Sequence, residues 1–125
     1  MKKLLIPSIF FVLLISFSFA QKPYKVVFYN LENFFDTIND PEVLDDEFTP
    51  DGPKKWNTAK YNKKLNNTER VLFDIAAIDK NYPIVIGVSE VETRGVLEDI
   101  VATPKLAPAN YRIAHFDSPE ARGVD

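Results

Sequence analysis

The sequence predicts an α/β fold. A β-branched and aromatic stretch, Tyr24–Asn30, is followed by a helix-period pattern from Asn57 to about Asp79 and then by a short apolar run, Ile84–Val88. Strand, helix and buried strand in that order point to helices layered on a sheet. The chain has 125 residues, enough for one domain with a modest core. Its 26% of charged residues excludes a polytopic membrane protein, and its 13% of aromatic residues argues against disorder. With no Cys, a disulfide scaffold, a thiolate zinc site, a thiol nucleophile and a lipid-anchored lipoprotein are all excluded.

At the N-terminus, Lys2 and Lys3 precede the apolar run Leu4–Phe19, which closes on Ser18-Phe19-Ala20 ahead of Gln21. Charged, apolar and small-residue parts stand in the order of a secretory signal peptide. The run is shorter than the ~20 residues that a spanning helix needs. The expected organisation is a signal peptide over residues 1–20 and one domain over residues 21–125. The product is exported, periplasmic or secreted, with no stable membrane insertion once the signal is removed. The remaining 105 residues carry 13 basic and 18 acidic side chains. That balance disfavours strong non-specific grip on nucleic acid, which rests on counterion release by Lys and Arg. It leaves room for a nucleic-acid substrate held through a metal ion.

Along the domain, Tyr24–Asn30 reads as a largely buried strand, bounded by Pro23. Asp36–Pro53 holds seven acidic residues and is broken by Pro41, Pro50, Gly52 and Pro53, so a long acidic loop is expected. Tyr61, Leu65, Leu72, Ile75 and Ala76 recur at helical spacings, with Asn57 as N-cap and Asn81-Tyr82-Pro83 as the stop. Lys60, Lys63 and Lys64 fall off that apolar stripe and read as a solvated face. Ile84–Val88 is short and apolar throughout, as in a strand buried on both sides. A second helix is predicted over Arg94–Ala102, a third strand over Tyr111–Phe116, and the opening of a fourth at Gly123-Val124-Asp125. Asn66-Asn67-Thr68 matches a glycosylation sequon but lies in mid-helix, which argues against its use.

Chemistry is expected at the carboxyl ends of the buried strands, where ligands bind in α/β sheets. Asn30-Leu31-Glu32 closes the first strand and Ser89-Glu90-Val91-Glu92 the second. If the strands run the same way, Asn30 and Glu90 share an edge. A carboxylate beside an amide suits a hard cation that keeps waters for a substrate's phosphate oxygens. Strand ends are also polar because they meet water, so neither motif decides alone.

Asn30 in FYNLENFFD, Glu90 in PIVIGVSEVE and the closing HFDSPEARGVD resemble the N-terminal half of the endonuclease/exonuclease/phosphatase superfamily, the DNase-I-like fold. The resemblance spans Tyr24–Asp125 and rests on three loose motifs in order. It implies that the domain is the N-terminal half of a four-layer α/β sandwich, truncated. It also implies a Mg2+ (or Mn2+) centre, with Glu90 and Asn30 as metal-centre residues and Glu32 as a further candidate ligand. Ser89 stands where the family often has Gln, which touches only a substrate-side contact. Arg122 falls where members place a phosphate-contacting residue, and a guanidinium there clamps phosphate well; pairing with Asp117 or Glu120 is the competing expectation. His115, the lone His, sits on the expected third strand and is assigned a structural role.

The implied substrate is a phosphodiester or phosphomonoester, nucleic acid among the candidates. The family's general base or acid Asp, its Asp-x-Asn pair and its closing Asp-His pair have no counterpart in these 125 residues. The chain is therefore expected to be the N-terminal fragment of a longer enzyme, inactive alone. The alternative is a non-catalytic exported module that binds Ca2+ or a partner through the acidic loop, although that loop lacks the EF-hand register.

Overall fold

The computed structural model describes residues 23–119 and 121–124; the expected signal peptide, residues 1–20, lies outside them. Strand β1 spans Val26–Phe34, helix α1 Thr58–Ala77, strand β2 Val85–Val91 and helix α2 Arg94–Ala102, with short 3-10 turns at Asp46–Phe48 and Ala107–Ala109. The two strands pair in parallel, from Val26 opposite Val85 to Asn30 opposite Ser89. Parallel neighbours need a long crossover, and α1 supplies it. Both strand carboxyl ends, with Asn30 and Glu90, therefore meet at one edge.

Burial along β1 alternates, as a half-covered strand requires. Leu31 and Phe34 enter the core with Leu72, Val91, Val96, Ile100 and Leu106. Val26 and Phe28 stay 67% and 73% exposed, so one face of the sheet is covered and the other is not. The Phe28 ring lies across Gly87 on the neighbouring strand, where an added Cβ would meet it at 2.8 Å.

Helix α1 begins as its sequence predicts: the Asn57 side chain accepts a hydrogen bond from the Lys60 backbone N–H. Its buried residues, Thr68, Glu69, Leu72 and Ala76, follow the helical period. Lys80, in the left-handed region, ends the last turn. Helix α2 keeps its expected bounds and buries Val96 and Ile100. The buried Glu69 is satisfied by the Lys105 backbone N–H, 2.8 Å from Oε1. No helix among the described residues is long and apolar enough to cross a membrane.

The acidic loop is ordered by its own carboxylates. Asp36, Asp40 and Asp45 accept hydrogen bonds from the backbone N–H groups of Ile38, Glu42 and Asp40. Phe35 stacks on Phe48 at 4.0 Å, and the Trp56 indole donates to the Phe35 carbonyl. Gly52 is required here, because an added Cβ would lie 2.1 Å from the Asp46 carbonyl oxygen.

The expected third strand does not form. Residues 111–116 are extended and alternate in burial, but they make no ladder with β2. An apolar cavity of about 950 Å³ separates them from β2. Tyr111 bonds instead to the Pro83 carbonyl, and Arg94 reaches the Ile113 carbonyl from α2. Alternation marks a strand-like surface, whereas pairing needs a neighbour within hydrogen-bond reach. The expected fourth strand also differs: residues 121–123 form a turn, with Gly123 at φ 72°, and Asp125 lies outside the described residues.

Candidate functional site

Strand β1 does not stop at Asn30. Between the pairs Asn30–Ser89 and Phe34–Val91, β1 advances four residues while β2 advances two. The surplus is taken up by a bulge in which Glu32 and Asn33 have φ of 56° and 59°; Glu90 opposite has φ 59°. Left-handed backbone is uncommon outside Gly, and for Glu it is a cost on the order of 1 kcal/mol or more per residue. Three such residues at one sheet edge need compensating bonds.

Those bonds come from the site's own side chains. The Asn30 amide donates to Glu90 Oε1 across 3.0 Å, and Asn30 Oδ1 accepts from the Glu32 backbone N–H at 2.6 Å. Glu90 Oε2 accepts from the Asn33 backbone N–H at 3.0 Å. From α1, Lys64 Nζ donates to the carbonyls of Glu32 at 2.6 Å and Asn33 at 3.3 Å. Burial pushes the Lys64 ammonium below its ordinary pKa, while the charges of Glu32 and Glu90 oppose that shift. Its Nζ also lies over the rings of Phe34 and Trp56, at 5.4 and 5.7 Å from their centroids.

Asn30, Glu32 and Glu90, the residues expected to share an edge, are thus brought together. Arg122 is brought there too: its Nη1 lies 3.5 Å from Asn33 Oδ1. His115 lies apart, its side chain mostly buried and its Nδ1 3.7 Å from Asp117 Oδ1.

Beside this cluster stands a pair that sequence reasoning missed. Glu92 accepts from the Asp36 backbone N–H at 2.6 Å and lies beside Asp45, which is 1% exposed. Burial pushes the Glu92 carboxyl up to about 8; the Asp36 backbone N–H opposes this, and the charges of Asp36 and Asp45 add to it. Among the described residues, no donor reaches Asp45 Oδ1. The sequence signal was present, since Glu92 lies two residues beyond Glu90 in the same strand-end run.

Lys64 and Asn33 were also missed as site residues. Helical period correctly keeps Lys64 off the apolar stripe, but it cannot reveal that the opposite strand presents two carbonyls there.

Among the described residues, no group of three or more His, Cys, Asp or Glu side chains converges to hold a metal. What the edge offers is one carboxylate held by two hydrogen bonds, the Asn30 amide and the exposed Glu32 side chain. Such a set suits a hard cation bound through one or two carboxylates and keeping several waters, and not an all-protein cage.

The sequence profile of the endonuclease/exonuclease/phosphatase family matches residues 25–125. The chain belongs to that family. No curated protein and no solved structure matches it. The matched span takes in β1, α1, β2, α2 and Arg122, so the Asn30–Glu90 edge lies within the family's region. Membership places the chain in a hydrolase superfamily and agrees with its α/β architecture.

Proposed function

We propose that this family member is an exported, metal-dependent phosphoester hydrolase, with Met1–Ala20 as its export signal. Gln21–Asp125 would form the N-terminal part of the catalytic domain, a DNase-I-like four-layer sandwich, and would be inactive alone. The observation that carries the reading is the Asn30–Glu90 hydrogen bond at the carboxyl edge of two parallel strands, stabilised against left-handed backbone on both. The exposed Val26 and Phe28 on the uncovered sheet face support a further layer.

Glu90 and Glu32 would hold Mg2+ or Mn2+, with Asn30 contributing its amide oxygen. When bound, the ion supplies Lewis-acid polarisation of the phosphoryl oxygen and charge neutralisation at the leaving oxygen. Asn30 orients the Glu90 carboxylate, and Asn33 fixes the second oxygen of the same group. Arg122, beside Asn33 Oδ1, presents guanidinium donors to a non-bridging phosphate oxygen. The group that activates the attacking water would come from outside these residues. The substrate is a phosphodiester or phosphomonoester, with nucleic acid among the candidates.

The test is hydrolysis of bis(p-nitrophenyl) phosphate by the full-length protein with and without Mg2+. Metal-dependent turnover that Glu90→Gln abolishes is expected; turnover unaffected by the substitution would remove the assignment.

A further inference from the structure

The turn at residues 40–45 of the acidic loop is closed by its own side chains. Asp45 Oδ2 accepts from the Asp40 backbone N–H at 2.9 Å, and Asp40 Oδ1 accepts from the Glu42 N–H at 2.9 Å. The Asp40 carbonyl accepts from the Val43 N–H at 3.2 Å. Asp45 is buried, so the turn is anchored in the interior.

On this turn lies the segment that carries Arg122. The Leu44 backbone N–H donates to the Ala121 carbonyl at 2.8 Å. Gly123, at φ 72°, packs so closely on Val43 that an added Cβ would lie 2.9 Å from Val43 Cγ2 and 3.1 Å from its Cβ. The left-handed backbone and the close approach both call for glycine. Val124, next in the chain, is buried. Arg122 is thus held through the residue on each side of it, and its Nη1 ends 3.5 Å from Asn33 Oδ1. Asn33 is the residue whose backbone N–H binds Glu90 Oε2. An arginine side chain has many rotamers, and it reaches one place reproducibly only when its own backbone is fixed.

We propose that Val43 is a positioning residue for Arg122, with the 40–45 turn as the seat that holds residues 121–123. The guanidinium is thereby kept beside the Asn30–Glu90 edge, where its donors face a phosphate oxygen. Val43 itself touches neither metal nor substrate. The proposal rests on the hydrolase reading for the phosphate that Arg122 meets, and on the contacts of the turn for the positioning. The carboxylates of the acidic loop order the turn, and the turn orders the arginine.

The experiment measures kcat/KM for Mg2+-dependent hydrolysis of bis(p-nitrophenyl) phosphate by the full-length protein, in a double-mutant cycle of Val43→Ala with Arg122→Ala. Circular dichroism checks that each variant folds. Val43→Ala should lower kcat/KM roughly 10- to 100-fold, as a contact group displaced by about 1 Å does, and leave Mg2+ affinity unchanged. In the Arg122→Ala background the same substitution should change nothing further. Val43→Thr keeps the branched shape at a half-buried position and should stay within about twofold of the wild type. Gly123→Ala, whose new Cβ pushes against Val43, is a second arm of the same cycle should Val43→Ala fail to fold. Equal losses from Val43→Ala with and without Arg122, or no loss from it in the wild type, overturn the proposal. Glu90→Gln reads the hydrolase assignment separately. Turnover that it abolishes but Val43→Ala leaves intact rejects the positioning role alone, and turnover that it leaves intact rejects the hydrolase assignment.

Discussion

Asn30 and Glu90, sixty residues apart in the chain, are joined by a 3.0 Å hydrogen bond from the Asn30 amide to Glu90 Oε1. The parallel register places them there, one residue short of direct opposition, since Asn30 faces Ser89. The left-handed turn of Glu90 then allows its carboxylate to reach across to both Asn30 and the Asn33 backbone. The site is a product of the bulge as much as of the strands.

Asn30→Ala removes the donor that orients Glu90 and the acceptor that holds the Glu32 N–H. A residue that orients a ligand in this way typically changes metal affinity or activity by roughly 10- to 100-fold. Mg2+ titration of the variant should show a loss in that range with the fold intact. An unchanged affinity would mean that Glu90 is held by Asn33 alone.

Lys64→Met keeps much of the apolar stem but removes two hydrogen bonds to the bulge carbonyls. The loss should be about 1–3 kcal/mol of stability, read from urea denaturation. Activity should fall with it, because Glu32 and Asn33 lose the clamp that offsets their left-handed backbone.

Folding stability should decline as pH rises from about 5 to 8. The Glu92 carboxyl is raised from 4.5 to about 8 in the folded chain, so over that window the folded state binds a proton that the unfolded state has released. Stability is then unpenalised below the unfolded value and falls until the folded group also ionises, by on the order of a few kcal/mol. Glu92→Gln keeps an acceptor for Asp36 and gains a donor toward Asp45. Thermal melts across pH 5–9 should therefore be flatter for the variant than for the wild type.

Phe34 is fully buried, closes the bulge and meets the Tyr61 ring at 5.3 Å. Phe34→Ala should cost about 3–5 kcal/mol, again by urea denaturation. A loss below about 1 kcal/mol would show that this end of β1 is not part of the cooperative core.

Most of the layer order was legible in the sequence because it follows from local pattern. Asn57 caps α1, the period of Tyr61, Leu65, Leu72 and Ala76 sets its buried face, and α2 keeps its expected bounds. The meeting of Asn30 with Glu90 followed once the strands proved parallel. Long-range features were not legible. The extension of β1 to Phe34 depends on left-handed Glu32 and Asn33, which no propensity favours for Glu. Lys64 acquires its role from carbonyls on another element, and Glu92 from the buried Asp45 contributed by the loop. Tyr111–Phe116 shows the opposite failure, a strand-like pattern without a strand to pair with.

The most direct test of the central claim is the Mg2+ affinity of the full-length protein beside that of Glu90→Gln, measured with phosphodiester hydrolysis on the same samples. Metal binding and turnover that fall together in the variant are the predicted result. Wild-type levels of both in Glu90→Gln would contradict a metal centre built on the Asn30–Glu90 edge.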